Sequence, residues 1–409
     1  MLKGNAIVGQ SGGPTAAINA TLAGVIRGAY ECPAIDKIYG AFNGVEGILK
    51  GTVCTLNDIV KDENDIAALA ATPAAALGSC RLKLPLAEDK PEVYEQLFSF
   101  FAEHDIRYFF YIGGNDSMDT VAKLSAYAAN HDYEIRVMGV PKTIDNDVMG
   151  TDHTPGYGSA AKYIAASMQE IIRDTAVYKV KAVTIVEIMG RDAGWLTAAA
   201  ALPGLSTDVA PDLVYLPEVV FDYDKYFEDV QKAFEKHPNV VVAVSEGVRL
   251  ADGQYLGAAA QSGATDAFGH AYLSGTGKAL ELATKDKLGC KVRSVELNIL
   301  QRCASHIASK TDIDESLMIG RVSVMAAAEG TTGKMMVFDR VGDDPYKVEA
   351  SSEDIAKIAN QVRAVPREFI NERGNNVTKE CLEYISPLIH GETEPIYKNG
   401  IPVHFVINQ

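Results

Sequence analysis

Ile106-Arg107-Tyr108-Phe109-Phe110-Tyr111-Ile112-Gly113-Gly114-Asn115-Asp116-Ser117 decides the fold. Apart from Arg107, its first seven residues are aromatic or β-branched, which reads as a central strand covered on both faces. A glycine loop follows, then helical spacing over 120–130 and a further strand over 135–140. The same order recurs upstream: a strand over 5–9, a turn at Ser11-Gly12-Gly13-Pro14-Thr15, a helix over 16–30 and a strand over 35–39. An amphipathic helix is expected over 92–104. Strands alternating with helices through short loops predict a mostly parallel sheet with helices on both faces.

A second α/β set begins near residue 150. Helices are expected over 159–173, 194–201, 223–237, 258–272 and 319–329. Strands are expected over 182–188, 213–216, 240–244 and 291–297, and a hairpin arm over 333–338. The expected architecture is two Rossmann-like three-layer α/β domains. Residues 1–148 would form the larger domain, completed by part of the C-terminal region. Residues 149–335 would form the second, and 336–409 an extension packing on both.

Composition narrows the function. The chain has 409 residues, 47% of them hydrophobic, and a formal charge of -16. Nucleic acid is excluded as a bulk partner, because its binding rests on basic residues neutralising phosphates. An acidic protein that binds small anions must concentrate its Arg and Lys at the site. The six cysteines form no CxxC pair, so free thiols in a reducing compartment are expected. No apolar stretch approaches the roughly 20 residues that cross a bilayer. A cytoplasmic protein, with no membrane partner, is the expectation.

Pro141-Lys142-Thr143-Ile144-Asp145-Asn146-Asp147 concentrates chemistry at the end of a strand. Two carboxylates two residues apart project to one side of an extended backbone. That suits a metal–phosphate site or a general base aimed at a hydroxyl; a polar turn with solvated charges is the plain alternative. Gly12-Gly13 offers backbone amides to an anion, yet fits neither the dinucleotide fingerprint nor the Walker loop. Gly275-Thr276-Gly277-Lys278 lacks the Walker spacing. Asn115 and Asp116 could ligate Mg2+ or cap the next helix. Arg81, Arg191, Arg293 and Arg302 lie near element ends, where guanidiniums suit phosphate oxygens and surface salt bridges are the commoner state. Glu246 could accept from sugar hydroxyls or serve as a loop carboxylate. Trp195 reads as core, and His153 as a surface histidine or a chemical group.

Together, Gly12-Gly13, Gly113-Gly114-Asn115-Asp116-Ser117, Thr143-Ile144-Asp145-Asn146-Asp147, Met189-Gly190-Arg191 and Ser245-Glu246-Gly247 resemble the phosphofructokinase family over about 5–335. The resemblance implies phosphorylation of the 1-hydroxyl of fructose 6-phosphate, with ATP or pyrophosphate as donor and Mg2+ as cofactor; it implies that 1–148 bind the donor and metal and 149–335 the sugar phosphate. ATP-dependent members carry glycine where this chain has Asp116 and Lys142, so the resemblance points to pyrophosphate. Bulk and charge at Asp116 disfavour a nucleotide α-phosphate, and Lys142 suits a compact anion.

By the same resemblance Asp145 is the base, Asp147 supports it or the metal, and Thr143 contacts the transferring group. Met189, Gly190 and Arg191 line the sugar-phosphate site, with Arg191 also stabilising the transferring charge. Glu246 binds sugar hydroxyls, Arg293 matches an arginine at the sugar phosphate, and Arg302 sits in the substrate-binding Gln-Arg pair that follows it. Gly12, Gly13, Arg81, Asn115, Asp116 and Ser117 hold donor and metal. Three positions depart from the pattern. Asn115 replaces an acidic residue, so metal binding would lean on Asp116, Asp145 or Asp147. A usual histidine matches Asn298 or Ile299. An arginine that reaches a neighbouring subunit's sugar phosphate is replaced by Ala182, next to Lys181. A homodimer or homotetramer is implied. An ATP-dependent phosphofructokinase, the same fold acting on another acceptor such as sedoheptulose 7-phosphate, and a non-catalytic phosphosugar-binding regulatory subunit are the competing readings.

Overall fold

The structure, a computed structural model, describes residues 1–207, 209–258, 275–358 and 361–408. Its larger sheet contains β1 (Gly4–Gln10), β2 (Ile35–Ala41), β3 (Val53–Thr55), β4 (Ile106–Gly113) and β5 (Arg136–Pro141). The smaller contains β6 (Ala182–Ile188), β7 (Leu213–Tyr215), β8 (Asn239–Ser245) and β9 (Lys291–Glu296). A hairpin of β10 (Lys334–Asp343) and β11 (Tyr346–Asp354) returns to the larger sheet, whose order is β11-β10-β5-β4-β1-β2-β3. There β10 runs parallel to β5, while β3 and β11 are antiparallel edges. The smaller sheet, β7-β8-β6-β9, is wholly parallel.

Burial explains the sequence pattern. In β4 every residue except Arg107 is buried, because helices cover both faces. Tyr108, Phe110 and Ile112 join the core beneath helices Ile18–Glu31 and Lys310–Ala328. Phe109 and Tyr111 join the opposite core, beneath Pro91–Glu103 and Asn115–Asn130. The first helix pair crosses on glycines. A Cβ at Gly24 would lie 2.1 Å from the Leu317 carbonyl, and one at Gly320 2.2 Å from that of Thr21. Any larger side chain would force these backbones apart.

Helix Lys310–Ala328 therefore belongs to the first core, although the sequence division placed it in the second domain. It also begins nine residues before the expected 319. Asp312 in its first turn accepts from the Gly156 and Ser159 amides, a long-range use of a polar residue that local periodicity does not reveal. The C-terminal segment contributes Val365, Ile370, Cys381 and Ile385 to the smaller lobe's core, whereas Ile407 lies in the larger lobe's. The helix expected over 258–272 lies outside the described residues except at its first position. Among the described residues, no helix is long and apolar enough to cross a membrane.

Candidate active site

The C-terminal ends of β1, β4, β5, β6 and β8 converge on one cleft, the usual place for ligands in open α/β sheets. A cavity of about 420 Å³ is lined by Gly12, Gly13, Arg81, Asn115, Asp116, Ser117, Lys142, Thr143, Asp145, Asp147, Met189, Arg191, Glu246 and Arg302. Gly114, Asp192, Ala193 and Val362 complete the lining. Residues separated by up to 350 positions in the chain thus share one chamber.

The glycines let cations reach the main chain. Gly12 has a φ of 77°, and a Cβ there would lie 3.2 Å from Lys142 Nζ. A Cβ on Gly13 would lie 3.3 Å from Arg302 Nη1. Lys142 Nζ donates to the Gly13 carbonyl at 2.7 Å, so the amine is fixed rather than swinging in solvent. The helix after Gly13 is less open to an anion than its sequence implies. Thr15 Oγ1 accepts from the Ala17 and Ile18 amides at 3.2 and 2.9 Å. The second loop differs: Gly114 is the N-cap of Asn115–Asn130 and makes no side-chain cap. Asn115 and Asp116 lie in the helix itself, and this helix start faces the cleft uncapped.

The diacidic loop is held from within and from behind. Asn146 takes a φ of 54°, a left-handed conformation that Asn tolerates, and its side chain is fully buried. Its Oδ1 accepts from the Thr154 amide at 3.0 Å and its Nδ2 donates to Tyr384 at 3.1 Å. Asp145 and Asp147 flank it and both line the cleft.

Burial dominates the electrostatics. It pushes Asp145 above the usual carboxylate range, although Arg191, Lys142 and Arg302 pull the other way. Asp147 is raised to about 7 by burial and by the neighbouring Asp145 charge. Glu246 is raised to about 8 for the same two reasons, with the Gly190 amide donating to it at 3.3 Å. Burial lowers Lys142 to about 8 against the pull of Asp145. It also lowers Arg302, helped by Arg81. A group of buried like and unlike charges in this state is poised to receive a charged ligand.

Several sequence expectations need correction or placement. Arg293 is not in this cleft: it is exposed on edge strand β9 and lines a separate hollow with Asp174, Tyr178, Ala182 and Lys291. Its strand is the outermost of the smaller sheet, and Arg293 lies within that strand rather than at its C-terminal end. Lys181 stands 5.2 Å over the Phe234 ring. Gly190 does not line the cavity but accepts from Ser245 Oγ and donates to Glu246. His153 is no surface group: it is buried, with ring nitrogens 2.8 Å from Asp152 and 2.8 Å from Glu315, and it lies outside the cleft. Trp195 is fully buried core. Sequence reading missed Asp192 and Val362. Asp192 directly follows the Met-Gly-Arg segment and could have been flagged from that adjacency; Val362 carries no local signal.

Among the described residues, no group of three His, Cys, Asp or Glu side chains could by itself hold a metal. The donor set does fit a hard cation completed by phosphate oxygens. Asn115 Oδ1 is buried without a partner, its Nδ2 lies 3.5 Å from Asp147 Oδ2, and Asp116 borders the same wall.

A two-lobed α/β protein whose cleft gathers four cations, uncapped helix amides and paired carboxylates is built to handle phosphate esters. The family model "Phosphofructokinase" matches residues 5–321, and the chain belongs to that family. It is 42% identical over 405 residues to a Halomonas elongata protein named pyrophosphate--fructose 6-phosphate 1-phosphotransferase, covering 98% of this chain and 96% of the relative. A protein of the same name from Xanthomonas campestris pv. campestris is 42% identical, with coverage of 98% and 96%. The crystal structure of a pyrophosphate-dependent phosphofructokinase from Nitrosospira multiformis is similar with a TM-score of 0.87 and 37% identity, covering 97% of this chain and 95% of that one.

Proposed function

We propose that this chain transfers a phosphoryl group from inorganic pyrophosphate to the 1-hydroxyl of fructose 6-phosphate, reversibly, giving fructose 1,6-bisphosphate and phosphate. The observation that carries the reading is the presence of Asp116 and Lys142 on the walls of the same cleft as Asp145. The names of the 42% identical relatives support it.

Asp145 takes the proton of the attacking hydroxyl. Arg191, beside it, stabilises charge on the transferring group and opposes the burial that raises the base. Lys142, pinned to the Gly13 carbonyl, fixes the donor's terminal phosphate, and Thr143 lies next along the wall. Glu246, protonated at neutral pH before substrate enters, offers a sugar hydroxyl both a donor and an acceptor. Met189, Arg191 and Arg302 border the acceptor. Gly13, Arg81, Asp116 and Ser117 border the donor. Mg2+ would be held by Asp116 and Asp147, with Asn115 Oδ1 as a neutral ligand, and would supply shielding of the phosphoryl oxygens. The chemistry is otherwise positioning and electrostatics.

The reading includes a cytoplasmic homodimer or homotetramer. Arg293, outside its own cleft on the exposed edge strand, is available to a neighbouring copy's sugar phosphate. The test is an initial-rate assay with fructose 6-phosphate and Mg2+, supplied with pyrophosphate or ATP alone. Turnover with pyrophosphate is expected. Turnover with ATP alone overturns the donor assignment, and sugar-phosphate binding without turnover overturns the catalytic one.

A further inference from the structure

Residues beyond 321 lie outside the stretch that the family model matches. One piece of that extension touches both halves of the active site. Val362 borders the cleft and bridges to Val148. The Arg363 amide donates to the Asp147 carbonyl at 2.8 Å. Its guanidinium donates to the Asn146 carbonyl at 3.5 Å and to the Tyr384 hydroxyl at 3.3 Å. Tyr384 in turn receives Asn146 Nδ2 at 3.1 Å and donates to the Asp152 carbonyl at 2.6 Å. These bonds close around the left-handed Asn146, whose neighbours are the two aspartates.

The opposite side of the same segment grips the smaller lobe. The Arg363 carbonyl accepts from Trp195 Nε1 at 2.9 Å, and the guanidinium lies 4.4 Å over the Trp195 ring. Glu218 Oε1 accepts the Val365 amide at 2.8 Å and the Gly194 amide at 2.9 Å. Gly194 and Trp195 end the loop that carries Met189, Arg191 and Asp192. So a four-residue segment is bonded to the loop of the base and to the loop of the phosphate-binding arginine.

We infer that residues 362–365 form a strap that keeps Asp145 and Asp147 in register with Arg191, with Arg363 as the positioning residue. This rests on the phosphoryl-transfer reading, because it assigns the two loops to one reaction. A misplacement of about 1 Å in such a site costs on the order of a hundredfold in rate. Arg363 touches neither reacting group, so its removal acts through the loops.

The test compares Arg363→Met, Arg363→Lys and Tyr384→Phe with wild type in steady-state kinetics, thermal unfolding and amide hydrogen exchange. Arg363→Met is expected to lower kcat about ten- to a hundredfold while KM for each substrate stays within about threefold. Arg363→Lys is expected to stay close to Arg363→Met, since an ammonium cannot supply the planar fork or the ring stacking. Exchange should accelerate together at 144–148 and at 190–195, a readout that needs no catalysis and so separates failure of the strap from failure of the activity assignment. Unchanged kcat in a folded variant, or exchange that rises in only one loop, overturns the proposal. If Arg363→Met does not fold, Tyr384→Phe, which deletes one hydroxyl of the same network, is judged by the same criteria.

Discussion

Lys142→Met tests whether the cleft sacrifices stability for anion binding. Lys142 is 2% exposed, and burial lowers its amine from 10.5 to about 8 even with Asp145 nearby. That lowering corresponds to a penalty of roughly 3 kcal/mol on the charged form. Removing the amine also leaves the Gly13 carbonyl without its 2.7 Å donor, a loss of about 1–2 kcal/mol. The net expectation without ligand at pH 7 is a gain of about 1–2 kcal/mol, a rise in Tm of a few degrees. The sign with pH follows from linkage. Between pH 8 and 10.5 the unfolded chain holds the Lys142 proton and the folded chain has lost it, so wild-type stability rises with pH there. The advantage of Lys142→Met should therefore shrink from pH 8 upward. Turnover with pyrophosphate should fall by about 10²–10³, as for loss of one preorganised donor to developing charge. Urea unfolding at pH 7 and 9.5, in phosphate-free buffer, with parallel pyrophosphate kinetics, decides it. A variant less stable than wild type at pH 7, or a gap equal at the two pH values, refutes the burial argument.

Asp145→Asn removes the base but keeps the volume; fructose 6-phosphate affinity should stay within a few-fold by calorimetry while kcat falls by at least about a hundredfold. Replacing Asp116 and Lys142 together by Gly should lower kcat/KM for pyrophosphate by at least about tenfold and admit ATP in initial-rate assays, and unaltered pyrophosphate use would sink the donor argument. For His153, burial acts to lower the imidazole, but hydrogen bonds to Asp152 and Glu315 outweigh it and raise the group to about 9. Its stabilising contribution is complete below pH 6.5 and lost as pH rises through 9, so the urea-unfolding gap between wild type and His153→Gln should narrow across that window.

What was legible in the sequence follows from locality. The strand over 182–188 was readable to the residue, because a largely buried parallel strand is mostly apolar, here at five of seven positions. The helix after Gly114 was expected at 120 and starts at Asn115, since Asn, Asp and Ser in its first turn look like loop. The helix Thr276–Leu288 went unread behind the phosphate-loop look-alike at its start. Nearly all the cleft residues sit within five short segments at strand ends, where a ligand-binding motif is a local pattern. Arg293 was misplaced because its local context matches the others, while its strand lies at the sheet's edge. Val362 and Arg363 were invisible for the opposite reason: their role is set wholly by what the chain folds against.

The charge distribution links these results. A chain of net charge -16 binds a polyanion only if local fields oppose the global one. Here Arg81, Lys142, Arg191 and Arg302 share the cleft with Asp116, Asp145, Asp147, Asp192 and Glu246. Without substrate Asp145, Asp147 and Glu246 are raised and Lys142 and Arg302 lowered, largely by burial. Burial thus penalises the charged form of each of these groups. A phosphate group beside the cations stabilises their protonated forms, so donor entry offsets the burial penalty on the charged Lys142. A bound cation would then favour the ionised carboxylates. On this argument the site's instability when empty and its selectivity for a compact, highly charged donor have one origin: charges buried in a cleft that needs their counter-charges to arrive.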